Sequence, residues 1–173
     1  GSSFGIQIFK NDKDIKNFFK NYNYNIKVYK NHNDILVEKY LDGRELTVSV
    51  YEKNAESIPI EVTEIISYNQ KFFDYQSKYT PGLSKHILPA DLNTKNYNQC
   101  KEYAKIAHDM LKCNGISRSD FILVDEQVFF LEINTQPGLT PVSLVPEQLV
   151  YKNISFDELI LNMLGSFLWK KNL

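Results

Sequence analysis

The 173-residue chain is poor in cysteine, histidine, arginine and long apolar runs. Its two cysteines, Cys100 and Cys113, stand thirteen apart with no CxxC, which excludes a disulfide framework. They read as two reduced, inert thiols of a cytosolic protein. His32, His86 and His108 fall in no ligand spacing such as HxxxH, which argues against a zinc site. No apolar run approaches the ~18 residues of a membrane span. The N-terminus has no basic stretch followed by an apolar one, so no signal peptide is expected. Lys+Arg 20 against Asp+Glu 21 leaves a net charge of −1, which does not support a nucleic-acid footprint. Only Arg44 and Arg118 are arginines, the other cations being lysines. With the abundance of Asn, Ile and Tyr, that bias reflects genome composition, and it singles the two arginines out.

What is present suits a globular core: 43% apolar and 24% charged residues. At this length roughly two-thirds of the unfolded surface can be buried, enough for one domain, or one domain and a fragment, without staples. There is no internal repeat. The opening Gly1-Ser2-Ser3 reads as a turn, followed by a strand over 4–9 and a polar helix over 12–21. A strand over 35–40 stops at the turn signal Asp42-Gly43. Strands follow over 46–51 and 58–66, and then an unpatterned connection over 68–90, whose length marks a functional loop. The spacing predicts a helix over 97–112, with Tyr103, Ile106, Ala107, Met110 and Leu111 on one face and Asn114-Gly115 as a left-handed stop. A last helix opens on the capping box Ser155-x-x-Glu158. Its stripe of Phe156, Leu159, Ile160, Met163, Leu164, Phe167 and Leu168 implies core packing.

The stretch from Arg118 to Asn134, RSDFILVDEQVFFLEIN, carries the most chemistry. Two β-rich runs flank Asp125-Glu126-Gln127, a short hairpin loop. A loop symmetric about Glu126 sets Asp120 opposite Glu132 and Arg118 opposite Asn134, all four on one face at one end of the ladder. Phe121, Leu123, Phe129, Leu131 and Ile133 then form the opposite, buried face. Two opposed carboxylates destabilise a bare ladder, so something compensates them. A hard divalent cation does so through the oxygen donors Asp, Glu and Asn. A solvated edge with a salt bridge to Arg118 does so as well, and the hairpin alone leaves both open.

Beyond the hairpin, Arg118-x-Asp120, Glu132-x-Asn134-Thr135, Pro137-Gly138-Leu139-Thr140 and Ser143-Leu144-x-Pro146 resemble the C-terminal signature of the D-alanine–D-alanine ligases, members of the ATP-grasp superfamily. Upstream, Phe72-x-Asp74-Tyr75-x-x-Lys78-Tyr79 resembles that family's mobile loop. The run from Val37 through Glu38, Lys39, Tyr40, Leu41, Asp42, Gly43, Arg44, Glu45 and Leu46 to Thr47-Val48 resembles its adenine- and ribose-binding segment. Gly1-Ser2-Ser3-x-Gly5 is similar to its phosphate-covering loop. The likeness is collinear over nearly the whole chain and favours the metal reading of the hairpin.

The resemblance implies an α+β ATP-grasp fold: an antiparallel sheet with packed helices, the end of the central subdomain over 1–43 and the C-terminal catalytic subdomain over 44–173. It implies ATP-dependent ligation of two D-alanines through an acyl phosphate, for peptidoglycan precursors and cell shape, in a bacterial cytoplasm. Asp120, Glu132 and Asn134 would hold two Mg²⁺ ions, with Mn²⁺ a permitted substitute. Arg118 and the Gly138 N–H would stabilise the tetrahedral oxyanion, a task for which lysine lacks the planar fork. Glu38, Lys39 and Leu41 would read adenine, Glu45 the ribose, and Ser3, Phe72 and Lys78 would complete the ATP site. Arg44 would be structural. Tyr79 and Ser2 would pair to orient the incoming amine, and Ser143 and Leu144 would line the second D-alanine pocket.

The resemblance also implies partners limited to small molecules, no nucleic acid or membrane, and room for a homodimer in the full-length enzyme. The ligases are much longer than this chain. Their N-terminal domain and the lysine–proline strand that normally precedes the glycine loop carry an acidic group for the first D-alanine and two lysines for ATP phosphates, so the fragment is expected to be inactive alone. Two alternatives stand beside this reading: a non-catalytic nucleotide-binding fragment, and another ATP-grasp carboxylate–amine ligase.

Overall fold

The computed structural model describes residues 6–9, 11–20, 36–67 and 84–170, with side chains placed through Gly165. The chain divides into two compact units, residues 1–41 and 42–173. In the first, α1 (Asp12–Lys20) is nucleated by Asn11, whose Oδ1 accepts the Asp14 N–H at 3.0 Å while its Nδ2 donates to Asp14 Oδ2 at 2.8 Å. Asp12 and Asp14 in the first turn and Lys20 in the last complement the helix dipole. The Phe18 ring packs on Phe9 at 5.1 Å and Phe19 at 5.5 Å. The strands expected over 4–9 and 35–40 do not form where the chain is described: residues 6–9 and 36–41 are irregular. An apolar run becomes a strand only when a neighbour takes its backbone groups, and no ladder pairs with these residues among those described.

The second unit is an antiparallel sheet in the order β3-β2-β1-β4-β5, built from β1 (Arg44–Lys53), β2 (Glu56–Ser67), β3 (Ser84–Ile87), β4 (Ile116–Val124) and β5 (Gln127–Asn134). β3 falls inside the stretch expected to be a connection over 68–90. Four half-buried residues at a sheet edge carry too little pattern to be read. Residues 68–83 of that stretch lie outside the described residues. Gly43 opens β1 because a Cβ there would sit 2.3 Å from the Leu123 carbonyl oxygen.

Helix α2 (Thr94–Met110) covers one face of the sheet, packing Cys100 and Ala104 on Leu46, Val48, Val50, Val62, Phe121, Leu123 and Val128. Its N-cap is Asn93, which accepts the Asn96 N–H. The buried face is Asn96, Cys100, Ala104 and His108 rather than the expected apolar stripe. Tyr103, Ile106, Met110 and Leu111 lie exposed, because small side chains bring the helix closest to the sheet. The left-handed residue that ends this helix is Lys112 (φ 51), not Asn114. Gly115 (φ 75) instead starts β4, its N–H donating to Glu52 Oε2 at 2.8 Å.

The other face carries α3 (Leu144–Tyr151) and α4 (Phe156–Lys170) over a core of Tyr51, Ile60, Ile116, Val145, Leu149 and Leu159. Half of the capping box forms: Glu158 N–H donates to Ser155 Oγ at 3.0 Å, while the Glu158 carboxylate takes Lys53 at 2.7 Å. Leu159 and Met163 pack inward, whereas Phe156 and Leu164 remain exposed. The expected stripe is therefore only partly core. Both cysteines are free and buried, and desolvation pushes the Cys100 thiol up to about 11.

Candidate active site

The β4–β5 hairpin turns on two residues, Asp125 and Glu126, both with positive φ, the geometry that matches strand twist. Next to the turn Val124 pairs with Gln127, Leu123 with Val128, Ile122 with Phe129 and Phe121 with Phe130. A bulge at Leu131 then adds one residue to β5, so that Asp120 opposes Glu132 and Arg118 opposes Asn134, as the sequence predicts. The expected three-residue loop is thus a tighter turn plus a bulge. The core list changes accordingly. Val128 is the buried β5 residue, Phe129 shares the face of Asp120, and Leu131 is exposed at the bulge. Phe130 meets Phe121 edge-on at 5.7 Å. Glu126 pins the turn to α2 by accepting from the side-chain amides of Asn93 and Asn96.

At the far end of the hairpin a polar cluster converges on Asp120, which is 7% exposed. Arg118 grips it with both arms of its fork, Nε to Oδ1 at 2.9 Å and Nη2 to Oδ2 at 2.8 Å. Asn134 Nδ2 donates to Asp120 Oδ2 at 3.3 Å and reaches Glu132 Oε1 at 3.5 Å. The salt bridge and the oxygen-donor set, posed as alternatives, occur in one constellation. Among the described residues no three His, Cys, Asp or Glu side chains converge as metal ligands. Two carboxylates and a carboxamide on one face nevertheless fit a hard cation that completes its shell from phosphate and water.

Two residues missed in the sequence hold this cluster. Thr47, on β1 and fully buried, pairs with Asp120 and donates to its Oδ1 at 2.6 Å. Gln148 of α3, also fully buried, accepts the Ser49 N–H at 3.0 Å and donates to Thr63 Oγ1 at 2.9 Å and the Thr47 carbonyl at 3.3 Å. A polar residue at every second position of β1 (Glu45, Thr47, Ser49) was the available signal. Glu45 lies on the same face, opposite Ile122. Arg44 does not: it clamps Glu64 through Nε and Nη2 at 2.7 Å and donates to the Asp91 carbonyl at 2.8 Å. The Glu64 carboxylate holds its guanidinium above the usual range.

The loop after β5 brings Gly138 against Ser143, where a Cβ on Gly138 would lie 2.8 Å from Ser143 Oγ. Ser143 is the N-cap of α3, a helix the sequence reading did not anticipate, although a serine is a favoured N-cap and a proline is tolerated in the first turn that follows. Its hydroxyl is not spent on capping. Pro146 occupies the third helical position and has no N–H to offer, and Ser143 Oγ pairs with Thr140 Oγ1 at 2.8 Å instead. Leu144 is buried against Ile65. Glu38, Lys39 and Leu41 belong to the first unit, where the first two are exposed and the third half-buried. Ser2, Ser3, Phe72, Lys78 and Tyr79 lie outside the described residues.

The family model for the D-ala D-ala ligase C-terminus matches residues 1–165. The chain belongs to this family. It is 39% identical over 165 residues to the D-alanine–D-alanine ligase of Agrobacterium fabrum, covering 92% of this chain and 51% of that protein. To the D-alanine–D-alanine ligase of Flavobacterium johnsoniae it is 40% identical over 162 residues, covering 94% and 48%. Among solved structures, the VanG D-Ala:D-Ser ligase of Enterococcus faecalis superposes with a TM-score of 0.73 at 29% identity, over 96% of this chain and 47% of that one. The Bacillus anthracis D-alanine–D-alanine ligase complexed with ATP matches in fold with a TM-score of 0.73 at 22% identity, over 98% and 52%. The α+β ATP-grasp fold is thereby established. The chain spans about half the length of the relatives it matches. No helix among the described residues is long and apolar enough to cross a membrane.

Proposed function

We propose that this chain is the metal- and ATP-binding half of a D-alanine–D-alanine ligase, with residues 1–43 closing the central subdomain and 44–173 forming the catalytic one. The observation that carries the reading is the pairing of Asp120 with Glu132, flanked on the same face by Asn134 and Arg118, in a member of this family. In the reaction, ATP phosphorylates the carboxylate of one D-alanine, the amine of the second attacks the acyl phosphate, and phosphate leaves. Asp120, Glu132 and Asn134 are the residues that hold Mg²⁺, two ions in this reading with Mn²⁺ able to replace them. Bound there, Mg²⁺ supplies charge neutralisation at the terminal phosphates.

Arg118, whose fork grips Asp120, would stabilise the charge that develops on the reacting carbon's oxygen. The N–H of Gly138 is its partner in that task. Glu38, Lys39 and Leu41 read the adenine, Glu45 takes the ribose hydroxyls, and Ser3, Phe72 and Lys78 complete the nucleotide site. Ser2 and Tyr79 orient the attacking amine. Ser143, whose hydroxyl capping leaves unspent, and Leu144 take the carboxylate end of the second D-alanine at a helix N-terminus, where anions are favoured. The product feeds peptidoglycan, and hence cell shape, in a bacterial cytoplasm. The partners are small molecules, without nucleic acid or membrane, and the full-length enzyme has room to dimerise.

The test is phosphate release from ATP with D-alanine, measured for this chain and for the chain joined to the upstream half that its relatives carry. Turnover only in the joined protein is the expected result. ATP binding without turnover in both would favour the non-catalytic alternative, and turnover only with a different amine would favour another carboxylate–amine ligase.

A further inference from the structure

His86 and Glu147, neither given a role so far, meet on the site face of the sheet beside Ser143 and Leu144. His86 Nδ1 lies 2.7 Å from Glu147 Oε2, joining β3 to α3 across 61 residues of sequence. A carboxylate can only accept, so the imidazole carries its proton on Nδ1 in this pair. Glu147 stands one helical turn after Ser143, its N–H donating to the Ser143 carbonyl at 3.3 Å. His86 pairs across the ladder with Ile65, and Ile65 is the residue on which Leu144 is buried. The first turn of α3 is thus clamped to β2 and β3 twice, by an apolar contact through Leu144 and by a polar one through Glu147. Its hydroxyl capping interaction is absent, so these two clamps join the buried Val145 and the bonds of Gln148 in fixing the end of the helix.

We propose that His86 is a positioning residue for the acceptor subsite: through Glu147 it sets where Ser143 and Leu144 stand, and so governs affinity for the carboxylate end of the second amino acid. This rests on the reading of Ser143 and Leu144 given above. The clamp lies at the first turn of α3, while Asp120 is held by Arg118 and Thr47, and Gln148 keeps its own bonds to Thr47, Ser49 and Thr63, so the nucleotide and metal side should not feel its loss.

The test compares His86→Phe, which keeps a ring but removes the donor, with His86→Asn, which keeps a donor near the position of Nδ1, in the full-length ligase containing this chain. His86→Phe should raise KM for the second D-alanine about 3- to 10-fold, the effect of one partly exposed charge-assisted hydrogen bond, with KM for ATP unchanged. His86→Asn should recover most of that loss, and Glu147→Ala combined with His86→Phe should be no worse than either alone. Hydrogen exchange at the Glu147 and Gln148 amides gives a readout independent of activity, and it should quicken in His86→Phe. An unchanged acceptor KM, a parallel rise in KM for ATP, or additive single effects would overturn the proposal. A wild-type protein that ligates no D-alanine yet shows the faster exchange in His86→Phe would instead sink the functional reading and keep the clamp.

Discussion

The hydroxyl of Thr47 donates to Oδ1 of Asp120 at 2.6 Å, linking the central strand of the sheet to the most buried carboxylate of the candidate site. Both oxygens of Asp120 are thereby oriented, Oδ1 by Thr47 and Arg118 Nε, Oδ2 by Arg118 Nη2 and Asn134. A carboxylate held this way meets a cation without first losing rotamer freedom. Thr47→Val, which keeps the shape and removes the donor, should cost about 1–3 kcal/mol in urea unfolding. Thr47→Ser should restore most of it. Equal stability of the valine and serine variants would show that the bond does not orient Asp120.

Arg118→Lys in the full-length ligase should lower turnover by ~10²–10³ with little change in KM for ATP. Lysine cannot reproduce the two-armed grip on Asp120, and it places one donor where two are needed. Turnover left intact by this substitution would remove Arg118 from the oxyanion role.

Asp120→Asn and Glu132→Gln should raise the Mg²⁺ concentration needed for nucleotide binding as well as slow turnover, because in the proposed reading each deletes a charge that would face the cations in the ground state. In the proposed reading Arg118 meets charge that develops in the transition state, and it also grips Asp120, so its variant should raise that Mg²⁺ dependence less than the carboxylate variants do. Mg²⁺ titrations of ATP binding for the three variants separate the roles. Wild-type dependence in the carboxylate variants would contradict the metal assignment.

Gly43→Ala places a methyl 2.3 Å from the Leu123 carbonyl oxygen, a backbone atom fixed in the β1–β4 ladder. The strand must move, at a cost of about 1–3 kcal/mol. Chemical denaturation should show a lower midpoint with an unchanged slope.

Burial raises the Cys100 thiol from 9.0 to about 11. The sign follows from linkage: the folded thiol stays protonated where the unfolded one ionises, so stability is intact below pH 9 and falls as pH rises towards 11, by about 3 kcal/mol in all. Cys100→Ala should flatten this alkaline limb in unfolding measurements, and thiol reagents at pH 8 should modify Cys100 only through unfolding.

The chemistry-bearing end of the hairpin was legible because alternation is a local property. Once a turn is located, period 2 places Arg118, Asp120, Glu132 and Asn134 together without knowledge of anything else, and the ordered motifs carried the family with them. The sequence by itself therefore determined the grouping of Arg118, Asp120, Glu132 and Asn134, the helix cap at Ser155 and the free state of the two cysteines. What depends on a distant partner was decided only in three dimensions. The bulge at Leu131 sends Phe129 to the site face, and the close approach of α2 buries Cys100 and Ala104 while leaving Met110 outside. Thr47 became an orienting group when β1 paired with β4, and Gln148 when α3 settled on β1. Apolar character states what a residue gains by burial, but which residue is buried depends on the size of the gap that another element leaves, and no local pattern encodes that gap.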